Sequence, residues 1–507
     1  MSEARRDGVR SRAKRRVRAR PVSAGPTASQ AQAIAKIAPA RSAAFEILTL
    51  LGEGKGHSDE LLHSQRMEAL GPEDRNLATA LVMGALRWQI ALDARVAKLL
   101  ARPEQRLAEP VSLALRMGAF QLLYLDRIPA HAVLNESVEM CRAAGQPHAA
   151  GMVNAVLRKL AAEPSTVQDR DAAKPTSQNR NAGHPLPEST AMFAERLGHP
   201  LWLVQRWVAA YGREAAQAIC EYDQHEPPGR GAIFAEADGA AAGLAGEDLP
   251  QMDDGSRLVA ELAAVANPAS TPAARVWDCC AAPGGKTLIL ARRLNPNLKD
   301  ETPSTSSGQA LRQAQGRLWG TQGAQILATD ISAKRMAQMA ARFRHFAYAQ
   351  RVRCAVDDAQ NTVVATAEDA KFDLILCDVP CSGTGTLARN PEIRLRLQAD
   401  DLARQSARQR AILGGALRRL APGGRLVYST CSLEPEENEQ VVEAVAPGAG
   451  VRRISMEPLI ASLAEMGVLR QEVSAWLIGT AVKDGALRTL PGVHGCNGFF
   501  AVVLERG

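Results

Sequence analysis

Residues 276–287 read VWDCCAAPGGKT. A short β-prone run ends at Asp278, a loop of small residues follows, and Gly284 and Gly285 lead into an apolar helical run. Paired glycines there let backbone approach a ligand at a helix N-terminus, at the carboxyl edge of a sheet, where doubly wound α/β folds bind ligands. The pattern is neither G-x-G-x-x-G nor a Walker loop, which argues against dinucleotides and nucleoside triphosphates. On its own, such a glycine pair is more often a plain tight turn.

The chain after Ala274 supplies the context. Strands are expected at 275–280, 325–330, 351–356, 372–378, 424–429 and 498–504, with helical runs between them at 286–294, 332–346, 399–420 and 435–445. That alternation reads as a doubly wound α/β domain. The second strand, ILATD, ends at Asp330, where an acidic residue commonly accepts from ribose hydroxyls; a plain helix cap is the alternative. Residues 300–320 are polar and nearly self-repeating, and read as a surface insertion between the first crossover helix and the second strand. Without it, the spacing from Asp278 to Asp330 suits one crossover.

Two further stretches carry reactive groups. FDLILCDVPCSGTGTLARNPEIRLR (372–396) delivers Asp378 to a sheet edge and then Pro380 and Cys381. GGRLVYSTCSLEPEENE (423–439) delivers Cys431 to the same edge. A thiolate in such a place is a candidate nucleophile. Either cysteine alone would more often be buried packing; both in polar loops just past strand ends favours chemistry. A metal site is a poor reading, because no histidine lies near them in sequence. Position alone does not rank the two cysteines.

The N-terminal half differs. From Arg41 to about 160, apolar residues recur at helical spacing with no strand signal, as in Ala44, Ile47, Leu48 and Leu51. Helical runs are expected at 90–101, 111–125, 131–144 and 148–161, giving an all-α bundle over 41–160. Residues 161–190 read as a linker, 191–272 as a small connecting region with a helix at 191–221, and 273–507 as the α/β domain. The chain of 507 residues is too long for one core.

Charge is concentrated at one end. Residues 1–20 hold nine Lys and Arg against Glu3 and Asp7, which accounts for the whole net charge of +7. Residues 1–40 are expected to be a disordered tail whose basic part condenses on nucleic acid or merely solubilises the chain. A mitochondrial presequence is the weaker alternative, since so dense a basic run leaves no apolar face. No apolar run is long enough to span a bilayer, and nine unclustered cysteines suit a reducing, cytoplasmic setting.

DCCAAPGGKT, DVPCSGTG and YSTCSLEPEEN together resemble the S-adenosylmethionine-dependent RNA cytosine-C5 methyltransferases of the NOL/NOP/Sun family. LGPEDRNLATALVMGALRW, RMGAFQLLYLDRIPAHAVLNESVEM and GMVNAVLRKL are similar to a NusB-like RNA-binding domain, a pairing found in the bacterial members that methylate 16S rRNA. The resemblance implies a multidomain protein: an N-terminal all-α NusB-like bundle and a C-terminal Rossmann-like methyltransferase domain. It implies Cys431 as nucleophile and Cys381 as the group that assists release; analogy with DNA methyltransferases would reverse that order. It implies that Asp378 hydrogen-bonds the cytosine or sits at the cofactor edge. It places S-adenosyl-L-methionine on Cys280, Ala281, Ala282, Pro283, Gly284, Gly285 and Lys286, its ribose on Asp330 and its adenine by Asp358, with Asp357 as rival. Lys286 either orients the Asp378 region or caps the loop. The expected partner is 16S rRNA or a small-subunit precursor, with no metal and no membrane, and the protein is expected to be monomeric. A tRNA or other rRNA target, or an inert RNA-binding assembly factor, are the competing readings.

Overall fold

The computed structural model describes residues 27–163, 188–227, 233–234, 252–268, 274–295, 323–360 and 370–507. The basic tail 1–20, most of the linker 161–190 and the insertion 300–320 lie outside them.

The N-terminal region is helical, as its periodicity implies. Helices Pro39–Gly52, Pro72–Arg87, Gln89–Leu99, Glu109–Tyr124, Ala130–Ala143 and Ala150–Ala162 surround one apolar core. Glu109–Tyr124 is the central helix, with residues such as Val111, Leu115, Met117 and Phe120 buried on several sides. The expected disordered tail is corrected at its C-terminal end. Helix Ala28–Ile34 forms because Thr27 and Gln30 make a reciprocal capping box. It docks through buried Ala33 and a Gln30 Nε2 donation to Ala143 O of 3.3 Å.

The C-terminal region is built on a nine-stranded sheet. Its strands are β1 Arg275–Asp278, β2 Gln325–Asp330, β3 Val352–Val356, β4 Phe372–Asp378, β5 Leu420–Thr430, β6 Val451–Ile454, β7 Val482–Lys483, β8 Ala486–Thr489 and β9 Phe499–Arg506. Their order is β3-β2-β1-β4-β5-β9-β8-β7, with β6 on β9. β1 to β5 are mutually parallel, while β9 runs antiparallel to β5. The chain leaves β1 toward β2 and β3 and then returns to β4 on β1's other side. This reversal opens a crevice at the carboxyl ends of β1 and β4.

Alternation along the strands fills both faces. Val276, Ile326, Leu374, Leu376 and Val503 pack on one face beneath helices Asp254–Val265 and Gly285–Leu294. Trp277, Leu327, Ile375, Tyr428 and Val502 pack on the other beneath Ala399–Arg418. Trp277 is wholly buried, and its indole N–H donates to Thr329 Oγ1 at 2.9 Å. That bond removes the cost of an unsatisfied donor in the core.

The helix Asp254–Val265 is capped by Asp253 and belongs to this packed unit, although it precedes the boundary expected at 273. The later elements β6, Glu457–Glu465, Gln471–Ala481 and the β7–β8 hairpin were not anticipated. The expected helix 435–445 is a 3₁₀ turn at Pro435–Glu437 followed by Glu439–Val445.

The two regions are joined across the segment after Cys381. Ser58 donates through N and Oγ to buried Glu392, at 3.0 Å and 2.9–3.0 Å. Arg87 donates to Ala388 O at 2.8 Å, and Arg396 to Leu51 O at 2.7 Å. Leu395 packs on the helical core.

Candidate active site

Four strand ends meet at the crevice. Asp278, Asp330 and Asp378 are the last residues of β1, β2 and β4, and Cys431 directly follows β5. The space has two lobes that share Cys280, Ala282 and Asp378. One, of about 710 Å³, is bordered by Asp330, Asp357, Asp358, Cys381 and Cys431. The other, of about 510 Å³, is bordered by Met252, Asp278, Gly285, Lys286 and Arg342.

The loop from Cys280 to Lys286 is held from below. Ala281 N donates to Thr329 O at 2.8 Å, and Gly284 N closes the turn on Ala281 O at 2.7 Å. Gly284 has φ +97°, a left-handed conformation that favours glycine. Asp278 is buried at the loop's start and accepts from Thr287 Oγ1 at 2.6 Å. Burial pushes its carboxyl up to about 7, opposed by the Thr287 hydrogen bond and reinforced by nearby Asp378.

Lys286 crosses the crevice. Its Nζ lies 2.8 Å from Asp378 Oδ2, while Ser429 Oγ donates to Asp378 Oδ1 at 2.7 Å. Of the two readings of Lys286, its contact is the one with Asp378. Burial works against the ammonium, yet Asp378 outweighs it and holds Lys286 above the usual lysine range.

The two cysteines are adjacent: Cys381 Sγ lies 3.2 Å from Cys431 Sγ. The pairing of β4 with β5 sets them side by side, with Asp378 opposite Ser429. The segment after Cys381 then folds back, and Gly385 N donates to Cys431 O at 2.9 Å. A Cβ on Gly385 would sit 2.3 Å from Gly498 O, so the close approach needs glycine. The Cys431 sulfur, burial and the Glu437 carboxylate all raise the Cys381 thiol well above the ordinary range.

Asp330 Oδ1 accepts from Ser332 N and from Arg335, both at 2.8 Å. Asp357 N donates to Asp330 O at 3.1 Å, and Asp358 Oδ1 accepts from Gln360 N at 3.0 Å. Asp357 and Asp358 border the same lobe, so geometry brings both to the cleft without ranking them. This set of acceptors fits an adenosine, whose hydroxyl and amino groups donate: three carboxylates border the lobe, and Ile331 and Ala359 offer apolar contact. Gly285 leaves room in the other lobe, since a Cβ there would meet nothing nearer than Met252 at 3.5 Å. Among the described residues no three His, Cys, Asp or Glu side chains are grouped as a metal site requires, and no helix is long and apolar enough to cross a membrane.

Sequence reasoning missed the polar groups behind the cysteines. Ser382 and Ser432 each follow a cysteine, and both bind Glu437. The repeated Cys-Ser dipeptide was the available signal. Asp278 was likewise read only as the end of a strand.

Comparison with known proteins agrees with this fold. Residues 317–505 match the family described as 16S rRNA methyltransferase RsmB/F, and residues 38–162 match the NusB family. The chain is 32% identical to Ribosomal RNA small subunit methyltransferase B of Xanthomonas campestris, covering 85% of this chain and 89% of that one. It is 29% identical to the probable Ribosomal RNA small subunit methyltransferase B of Bacillus subtilis, covering 92% and 98%. The solved structure of PH0851 shares the fold at a TM-score of 0.59 and 19% identity, over 93% of this chain and 99% of that one. With its NusB-family helical region and a methyltransferase fold carrying paired cysteines, the chain belongs to the 16S rRNA methyltransferase RsmB/F family.

Proposed function

We propose that this protein is a cytoplasmic enzyme that methylates C5 of a cytosine in 16S rRNA through a covalent intermediate on Cys431. The observation that carries the reading is the pair of thiols 3.2 Å apart at the end of a cleft that fits S-adenosylmethionine. The rRNA substrate follows from what the relatives are named for.

S-adenosylmethionine supplies an electrophilic methyl group when bound. The loop from Cys280 to Lys286 would hold its methionine part, Asp330 would accept from its ribose hydroxyls, and Asp358 would take its adenine. Cytosine C5 is a weak nucleophile, so the Cys431 thiolate adds to C6 and makes C5 an enamine carbon that takes the methyl group. Asp378, fixed between Lys286 and Ser429, hydrogen-bonds the cytosine and favours the addition. A base then takes the C5 proton, the bond from Cys431 Sγ to C6 breaks, and Cys381 assists that release. Cys431 ranks first by the resemblance of its motif, YSTCSLEPEEN, to the family's nucleophile motif, since position does not rank two sulfurs 3.2 Å apart.

Labelled S-adenosylmethionine and unmodified 16S rRNA test the reading. Cys431→Ser is expected to be inactive and to form no denaturant-resistant RNA adduct. Cys381→Ser is expected to turn over poorly yet accumulate one. An adduct trapped by Cys431→Ser alone would reverse the assignment, and activity intact in both variants would remove cysteine catalysis.

A further inference from the structure

Glu437 is buried completely behind the two cysteines, in the turn that follows β5. One carboxylate serves both cysteine loops. Oε1 accepts from Ser382 N at 2.8 Å, and Oε2 accepts from the hydroxyls of Ser382 and Ser432. Ser382 is the residue after Cys381 and Ser432 the residue after Cys431. Gln409 Nε2 braces the arrangement, donating to Glu437 Oε1 and to Pro380 O, each at 3.0 Å. Tyr428 hydroxyl donates to Glu437 O at 2.6 Å, which fixes the turn's backbone on β5. A buried carboxylate with this many donors is stiff and charged, because charge-assisted hydrogen bonds replace its water.

We propose that Glu437 is a positioning residue for the methyl transfer: its carboxylate clamps the two cysteine loops at their working separation and, as a fixed anion on the Cys381 side, keeps the shared proton on Cys381 so that Cys431 is the thiolate. The proposal rests on the cysteine mechanism proposed above. Glu437 reaches the Cys381 side through Ser382 N, Ser382 Oγ and, by way of Gln409, Pro380 O, and the Cys431 side through Ser432 Oγ alone. The clamp explains why both cysteine motifs continue with serine, a residue that neither nucleophilic attack nor cofactor binding requires.

The test uses the full chain and two readouts. The first is alkylation by iodoacetamide, with the modified cysteines mapped by peptide mass; the second is steady-state methyl transfer to 16S rRNA. In the wild-type protein Cys431 is expected to label faster than Cys381. In Glu437→Gln that preference is expected to fall about tenfold or more, since a neighbouring like charge shifts ionisation by one unit or more. The rate kcat is expected to fall about 100-fold through misplaced sulfurs, with KM for S-adenosylmethionine unchanged. Glu437→Asp keeps the charge and is expected to recover the labelling preference more than the rate. Ser432→Ala removes one leg of the clamp and keeps the charge, so kcat is expected to fall while the labelling preference holds. This variant carries the test if Glu437→Gln does not fold. A folded Glu437→Gln, or failing that Ser432→Ala, with wild-type kcat would overturn the clamp. A wild-type protein that shows no methyl transfer, yet whose labelling preference collapses in Glu437→Gln, would overturn the proposed function and leave the clamp standing.

Discussion

Replacing Gly284 by alanine separates the fold of the cofactor loop from its binding role. Gly284 sits at φ +97°, immediately before the helix Gly285–Leu294. A non-glycine residue there costs about 1–2 kcal/mol in backbone energy. An ideal Cβ would stand 2.6 Å from Phe343 Cε1 and 2.9 Å from Met339 Cγ, both on core side chains. Forcing a methyl group into so packed a site costs about 1–3 kcal/mol more. Gly284→Ala should therefore lose about 2–5 kcal/mol, a large part of the roughly 5–15 kcal/mol that keeps a domain folded. Gly285→Ala is the control. Its Cβ meets only Met252 at 3.5 Å, and φ there is not positive. It should keep its stability and instead lose S-adenosylmethionine affinity, because the methyl group intrudes on the cleft. Urea unfolding of both variants, with calorimetric titration of the cofactor into each, separates the effects. A Gly284→Ala protein with the wild-type unfolding midpoint would refute the packing argument, and equal stability loss in both variants would refute the contrast.

Two more outcomes follow from charge. Asp278 is pushed up to about 7 in the folded protein, above its unfolded value near 4. The folded state thus holds an extra proton between those values, and the stability tied to it is full below about pH 4 and lost as pH rises through 7. Asp278→Asn should remove that loss, so its urea midpoint should gain on the wild type between pH 5 and pH 8; a constant gap would contradict the assignment. Deleting residues 1–20 should weaken RNA binding and flatten its salt dependence while leaving target choice intact, because phosphate contacts position without specifying. A filter-binding salt titration with an unchanged slope would show the tail to be only a solubilising one.

β2 and β4 were legible because each is a short apolar run ending in an aspartate. β2 and β4 fall at the expected bounds for this reason, and Asp330, Asp378 and Cys431 stand at or just past strand ends. Glu437 was not legible, because four glutamates within LEPEENE look like a solvated face until folding buries Glu437 against Ser382 and Ser432. The β7–β8 hairpin was legible and overlooked. Asp484-Gly485, both with positive φ, is the dipeptide that two-residue hairpins favour. The Ser58–Glu392 contact spans 334 residues, a distance at which local pattern carries no signal.

That contact bears on how far the helical region can be treated as a portable module. If it were cut away, Glu392 would lose both Ser58 donors, Arg396 would lose the carbonyls of Leu51 and Gly56, and Leu395 would face water. The stretch that suffers is the continuation of the Cys381 loop, so the damage would reach the reacting sulfur from the far side of the molecule. Two sequence modules thus share one piece of chain, and the catalytic half inherits its shape in part from its neighbour. A partner that tilts the helical region would pull on Arg87, Ser58 and Arg396 together, and through them on the segment that lies against Cys431.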